Sequence, residues 1–396
     1  MARALTVHTA STQAEKEEIF RLRYTVYIEE MDGASRHQEA NSLSREFRDD
    51  WDDKAYHLYV RQGDTMVGCV RINMRVDGPL ECEEGFALEQ FAPAFPDHVA
   101  IVSRLALHPQ VRGNAVLKRL MKHIYEKLLD MGVRFAFLDC HPKLIPLYSR
   151  IGFRIYRPGF KHPKYTFVIP MVLVMDDVEH MQRVRSPFAP IARRLLLSNE
   201  SRDLLLSRFP AVSHTFVSVD TNGTDFSGLL RSTLLGPAAA VKGCALLADL
   251  TEKETNLVLS FGQIVSCHAG DPIVSSGESG REVYLILDGS FQVLGEGNGN
   301  TDMALINVLI QGETFGEVAY LTERRRCSTV VALENSNLLI LNGRALDKIT
   351  AVEPALAARV FRNLTCIIEA RAQEAVVIRQ TGAAMLSEFD SAPVKA

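Results

Sequence analysis

Apolar positions along the N-terminal half of the chain recur in two alternating rhythms, one helical and one strand-like. After Thr12 and Glu15, which stand at capping-box spacing, Ile19, Leu22, Val26 and Tyr27 fall at helical intervals. Residues 36–53 are polar and strongly charged and read as a loop. Ala55–Arg61 and Met66–Met74 are strand-like runs, with Gly63 and Asp64 between them as a hairpin turn. Val99–Leu107 predicts a further strand, ended by His108 and Pro109. The clearest helix follows. Leu117, Leu120, Met121, Ile124, Tyr125 and Leu128 line one face, and Lys118, Arg119, Lys122, Glu126 and Lys127 the other, until Gly132 stops it. Val133–Leu138 is another strand, Leu144–Arg150 a short helix ended by Gly152, and Phe153 opens a new strand. Such alternation predicts an α/β sheet domain.

Residues 181–210 keep a helical but basic pattern, and 212–233 are rich in Ser, Thr, Gly and Asn without a period, as in a linker. Beyond Ala238 the style changes. Short β-type runs are separated by Gly270-Asp271, Gly277-Glu278-Ser279-Gly280, Asp288-Gly289 and Glu296-Gly297-Asn298-Gly299, which predicts a small β-barrel or β-roll. Pro354–Val377 reads as a closing helix, and no internal repeat occurs.

Bulk properties narrow the function classes. Hydrophobic residues make up 47% and charged residues 23%, an ordinary globular balance. A formal net charge of -4 gives no electrostatic reason to expect nucleic acid or an anionic membrane as partner. The 7 cysteines form no CxxC pair, so neither a disulfide framework nor a metal site is expected, and a reducing, cytoplasmic compartment fits. The longest apolar run, Phe167–Met175, contains Pro170 and is too short to span a bilayer.

Two segments carry chemistry. Gln110-Val111-Arg112-Gly113-Asn114-Ala115 lies between a strand and a strong helix. Free N–H groups at a helix start attract anions, Gly113 and Ala115 permit close approach, and Arg112 adds a charge suited to phosphate. An ordinary strand-to-helix turn is the alternative. The segment resembles the Q-x-x-G-x-A turn of the GNAT superfamily, and Leu147-Tyr148-Ser149-Arg150-Ile151-Gly152-Phe153 resembles that superfamily's LY-x-x-x-GF signature. The resemblance covers roughly residues 10–175. It implies a GNAT-type mixed sheet with helices that binds acyl-CoA between the strands ending near Leu107 and Leu138. Its backbone at Leu105, Ala106 and Leu107 would polarise a thioester carbonyl, and Tyr148 would be the general acid; a core aromatic is the other reading of Tyr148.

Arg23, Tyr27, Asp49, Asp52, Arg71 and Ser103-Arg104 further resemble the pattern of acyl-homoserine-lactone synthases and N-acyl amino acid synthases, which take long acyl chains from acyl carrier protein. Gly33 and Ile101 depart from the lactone-synthase pattern, where Trp and Glu are expected, so N-acyl transfer is expected rather than lactone synthesis. Of the carboxylates at Asp49, Asp50, Asp52, Asp53, Glu81, Glu83 and Glu84, most read as solvated loop, with Asp52 as the candidate base. His141, just after the central strand, is a candidate base or substrate ligand, or a structural histidine.

In the C-terminal half, Phe315-Gly316-Glu317-Val318-Ala319 is followed by Arg326-Cys327-Ser328. A cyclic phosphate needs a buried Arg with backbone N–H donors, and a ribose hydroxyl needs a carboxylate acceptor; Arg326 and Glu317 offer both. The segment resembles the phosphate-binding cassette of cyclic-nucleotide-binding domains in catabolite activators and protein kinase A regulatory subunits. Cys327 stands where Ala goes with cAMP and Ser or Thr with cGMP, which favours cAMP. No helix-turn-helix pattern follows. The resulting expectation is an acyltransferase domain over 1–178, a helical segment and linker over 179–240, a jelly-roll-like nucleotide domain with closing helices over 241–378, and a tail over 379–396. The activity implied is cyclic-nucleotide-regulated transfer from acyl-CoA or acyl-ACP to an amine. A protein-lysine acetyltransferase and a non-enzymatic sensor are the rivals, and the closing helix is a candidate homodimer contact.

Overall fold

The computed structural model describes residues 4–30, 40–92, 94–111, 114–164, 166–195, 198–213, 244–296 and 303–390. The chain divides into two units, Met1–Ser218 and Val219–Ala396.

The first unit opens with β1 (Leu5–Thr9). Thr12 then starts α1 (Gln13–Arg23): its hydroxyl accepts from the Glu15 N–H at 3.3 Å, and the Glu15 carboxylate accepts from the Thr12 N–H at 2.9 Å. The apolar stripe continues past Arg23 as a π-helical turn, Tyr24–Glu30, which buries Val26 and Ile28. The expected hairpin forms from β2 (Tyr56–Gln62) and β3 (Thr65–Met74), with Gly63 at a φ of 64° in its turn. Next come β4 (Val99–Leu107), α2 (Asn114–Asp130), β5 (Phe135–Cys140), α3 (Ile145–Ile151), β6 (Arg154–Ile155), β7 (Phe160–Lys161) and β8 (Phe167–Val174). The amphipathic α2 buries Leu120, Met121, Ile124, Tyr125 and Leu128 and ends before Gly132, at a φ of 70°. These strands form one mixed sheet in the order β1-β2-β3-β4-β5-β8-β6, with β7 on β8.

Two irregularities in that sheet matter for function. Strands β4 and β5, the parallel pair, are in register only at Val99↔Phe135, Ala100↔Ala136 and Ile101↔Phe137; beyond Ile101 no pairing joins them among the described residues. Within β4, Ser103 faces Arg71 and Ala106 faces Cys69, so one extra residue is accommodated. Arg104 takes it up with a φ of 54°, a bulge that re-aims the strand just where it leaves β5. One side of the sheet carries two apolar clusters. Phe135 and Phe137 pack with Phe86, Phe91 and Tyr156, and Cys69 and Ala106 pack with Ile19 and Phe20 of α1.

The basic helical segment resolves into α4 (Val178–Arg183), α5 (Ala189–Arg194) and α6 (Glu200–Arg208). It packs on the first unit: the Asp176 carboxylate accepts from the N–H groups of Ser201 and Arg202 at 2.9 and 3.2 Å, and Leu205 joins the Phe91 cluster. From residue 214 the expected linker lies outside the described residues.

The second unit holds α7 (Glu252–Ser260), β9 (Gln263–Cys267), β10 (Pro272–Val274), β11 (Val283–Asp288), β12 (Ser290–Glu296), β13 (Met303–Ile310), β14 (Thr314–Phe315), α8 (Glu317–Thr322), β15 (Thr329–Ala332), β16 (Ser336–Leu341), α9 (Gly343–Val352) and α10 (Pro354–Asp390). Two antiparallel sheets, β9-β16-β11-β14 and β10-β15-β12-β13, make a β-roll rather than a closed barrel. The closing helix α10 is longer than its apolar pattern predicts and continues through the expected start of the tail. No described helix is long and apolar enough to cross a membrane.

Candidate functional site

Arginines and carboxylates far apart in sequence meet on the α1 side of the first sheet. Arg23, the last residue of α1, is buried; its Nη1 lies 2.7 Å from Asp52 Oδ1, and its Nη2 donates to His57 Nδ1 at 3.2 Å. The other ring nitrogen, Nε2, donates to the Asp52 carbonyl at 3.1 Å. His57 is therefore a neutral imidazole, and burial, reinforced by Arg23, lowers its pKa to about 4. Arg71 of β3 donates Nε to Ser103 Oγ at 2.9 Å, meets Glu81 at 3.0 Å and Asp52 at 3.3 Å, and ion-pairs with Asp49. Asp49 also pairs with Arg104 and, at 3.4 Å, with Lys164. Burial pushes both aspartates up, but the adjacent guanidiniums outweigh it and hold them below the usual carboxylate range.

This geometry corrects the role expected for Asp52. It is 3% exposed, it neutralises two guanidiniums, and its second oxygen accepts from the Asp49 N–H at 2.8 Å. A carboxylate so engaged is a poor base and a good clamp. Asp49, expected at the acceptor site, and Glu81, grouped with carboxylates that mostly read as solvated loop, are likewise ion-paired, because their partners come from β3 and β4.

Tyr27 and Tyr148 lie beside the parting of β4 and β5. The Tyr27 hydroxyl donates to the Leu105 carbonyl at 2.9 Å, within the unpaired stretch of β4. Tyr148 of α3 is half-buried and rests edge-on against Phe153, with ring centroids 6.0 Å apart. Burial raises its pKa well above the usual phenol value, and Cys140, Tyr27 and Asp139 add to the shift, so the phenol keeps its proton. Ala106 packs toward α1, and Leu105 and Leu107 are half-buried. Gln110 sits in a 3-10 turn before α2; Asn114 begins that helix and Ala115 is exposed in its first turn. Arg112 and Gly113 lie outside the described residues. His141 follows β5, and its carbonyl accepts from the Leu144 N–H at 2.8 Å at the start of a 3-10 turn. Sequence reasoning missed His57, Lys164 and Asp139. The last had a local signal, as the one charged residue in the strand Phe135–Cys140.

In the second unit an open cavity of about 230 Å³ is lined by Phe315, Gly316, Glu317, Val318, Ala319, Arg326, Cys327 and Ser328. The structure brings every expected residue of this segment to one place. Arg326 is 5% exposed, donates Nη1 to the Gly316 carbonyl at 2.9 Å and meets Glu282 at 2.9 Å. Gly316 has a φ of 88°, and a Cβ there would stand 2.6 Å from Arg326 Nη1, so only glycine fits. Buried Glu317 gives one oxygen to Arg371 of α10 at 2.8 Å, while its Oε2 has no hydrogen-bond partner among the described residues. Glu317 is among the residues lining the cavity, and a buried polar atom without a partner calls for an explanation. Arg371 and Glu282 carried no recognisable sequence signal.

Comparison with known proteins agrees with this division. Residues 18–177 match the family model described as N-acyl amino acid synthase FeeM, and residues 264–352 match the cyclic nucleotide-binding domain. The cyclic AMP receptor protein of Thermus thermophilus is 30% identical over 135 residues, covering 34% of this chain and 60% of the relative. A cAMP-dependent protein kinase regulatory subunit of Debaryomyces hansenii is 32% identical over 122 residues, covering 29% of this chain and 26% of the relative. The chain thus spans less than two thirds of either. Among solved structures, the AHL synthase LasI shares 15% identity over 44% of this chain and 91% of its own, with a TM-score of 0.35. The first unit is thus similar to the N-acyl amino acid synthase family over residues 18–177, and the second to cyclic nucleotide-binding domains over residues 264–352.

Proposed function

We propose that this protein transfers an acyl group from a thioester, acyl-CoA or acyl-ACP, to the amine of an amino acid, and that a cyclic nucleotide sets the rate. The observation that carries the reading is the parting of β4 from β5 beyond Ile101, with Tyr27 bonded to Leu105 and the protonated Tyr148 beside it. A thioester laid in that gap meets the backbone of Leu105–Leu107, which polarises its carbonyl. The amine attacks directly. The C–N bond forms, the C–S bond breaks, and the thiolate leaves with its electron pair and takes the Tyr148 proton. The phenolate recovers a proton from the new amide nitrogen. The cluster of Arg23, Asp49, Asp52, Arg71 and Arg104 holds the acceptor side rigid. If the donor is acyl-CoA, the turn at Gln110, Arg112, Gly113, Asn114 and Ala115 takes its pyrophosphate.

In the second unit, Arg326 takes the cyclic phosphate and Glu317 Oε2 the ribose hydroxyl. Exposed Cys327, a poor hydrogen-bond donor, favours cAMP over cGMP. The test is mass spectrometry of mixtures of acyl-CoA or acyl-ACP with amino acids, alongside thiol release. Tyr148→Phe is expected to keep donor affinity and slow turnover by about 10²-fold or more. An unchanged rate assigns Tyr148 to packing alone.

A further inference from the structure

Direct attack requires something to take a proton from the incoming ammonium, and most polar groups on the α1 side of the sheet are already committed. Asp49 and Asp52 are neutralised by arginines, Glu81 is paired with Arg71, and both ring nitrogens of His57 are bonded. Asp139 stands apart. Side chains alternate along β5, so Asp139 shares the face of Phe135 and Phe137, which pack in the Phe91 cluster. It lies two residues beyond Phe137, the last residue of β5 in register with β4, and so borders the gap between the strands. The residue is half-buried, and no side chain donates to its carboxylate or pairs with it among the described residues. The charged and titratable groups facing it are Glu81 and Cys82 from the loop after β3, Arg71 from β3, Arg104 from β4, Cys140 beside it on β5, and Tyr148 from α3. Arg71 is bonded to Ser103, Asp49 and Glu81, and Arg104 to Asp49.

Resting on the reading above, we infer that Asp139 is the general base that deprotonates the ammonium of the acceptor amino acid. Its carboxylate takes one proton and frees the nitrogen lone pair for attack on the thioester carbon. The thiol, by way of Tyr148, receives the second proton, the amide keeps the third, and Asp139 returns its own to solvent. Burial and then Glu81 raise its pKa to about 6, the range in which a carboxylate is both ionised and basic near neutral pH.

The test uses the full chain, with Asp139→Asn and Asp139→Glu, in amide formation from pH 5 to 8.5. Asp139→Asn is expected to lower turnover by about 10²-fold or more, to abolish the loss of activity below about pH 6, and to leave the KM for the thioester unchanged. Asp139→Glu should restore part of the rate and the acid limb. Hydroxylamine, far less basic than an amino acid's amine, is neutral at pH 8 and needs no base to free its lone pair, so with it at that pH Asp139→Asn should lose little. A folded Asp139→Asn that keeps the acid limb, or that is equally slow with hydroxylamine, overturns the assignment while wild-type activity stands. A wild-type chain that forms no amide from any amine overturns the transferase reading as well.

Discussion

Arg326 holds the second unit's pocket in shape before any ligand arrives. It bonds the Gly316 carbonyl and Glu282 and lies over the Tyr284 ring, 5.7 Å from its centroid. Arg326→Ala should abolish binding of cyclic nucleotide, because truncating one partner of a buried charge pair costs about 2–5 kcal/mol. Titration calorimetry on the full chain checks this; binding unchanged in the variant removes the phosphate role. This site was legible residue by residue, since Gly316, Glu317 and Arg326 sit within one short segment. The first unit's site was less so. Asp49 finds Arg71 and Arg104 only after β3 and β4 pair, so a reading along the chain sees charge on a loop and misses the partners that bury it.

Among the elements, α2 and the β2–β3 hairpin follow directly from periodicity, because one face of each is buried. The π-helical turn after α1 and the bulge at Arg104 do not, because both answer to long-range packing rather than local preference. The charged cluster ties α1, β2, β3 and β4 together through Arg23, His57, Arg71 and Arg104. That linkage predicts how the first unit responds to acid. Burial lowers the His57 pKa to about 4 in the folded chain from about 6.5 in the unfolded one, so the unfolded chain binds more protons between those values. Its contribution to stability is complete above about pH 6.5 and falls as the pH drops toward 4. His180, lowered by burial to about 3, acts in the same direction. Below about pH 4 the unfolded chain also takes up protons that Asp49 and Asp52 resist when folded, so the stability their ion pairs contribute falls as well. Thermal melts of the full chain should show the transition falling between pH 7 and 5, less steeply in His57→Gln. A midpoint flat over that range contradicts the neutral, buried His57.

At the scale of the molecule, regulation of the proposed transferase by the nucleotide domain requires that the ligand bind two states unequally. The sensor supplies a device for this. Arg371 reaches from the closing helix α10 to Glu317 Oε1 at 2.8 Å, so the residue proposed to take the ribose hydroxyl is also one that holds the helix. A bistable helix biased by ligand is enough to change a rate without any new catalytic group. The most direct measurement is the rate of N-acyl amino acid formation by the full-length protein with and without saturating cAMP, alongside Arg326→Ala. Wild type is expected to form the amide at a rate that cAMP changes several-fold, and the variant to form the amide without responding to cAMP. Formation of no amide by the folded protein, or an equal cAMP response in both proteins, would contradict the proposal.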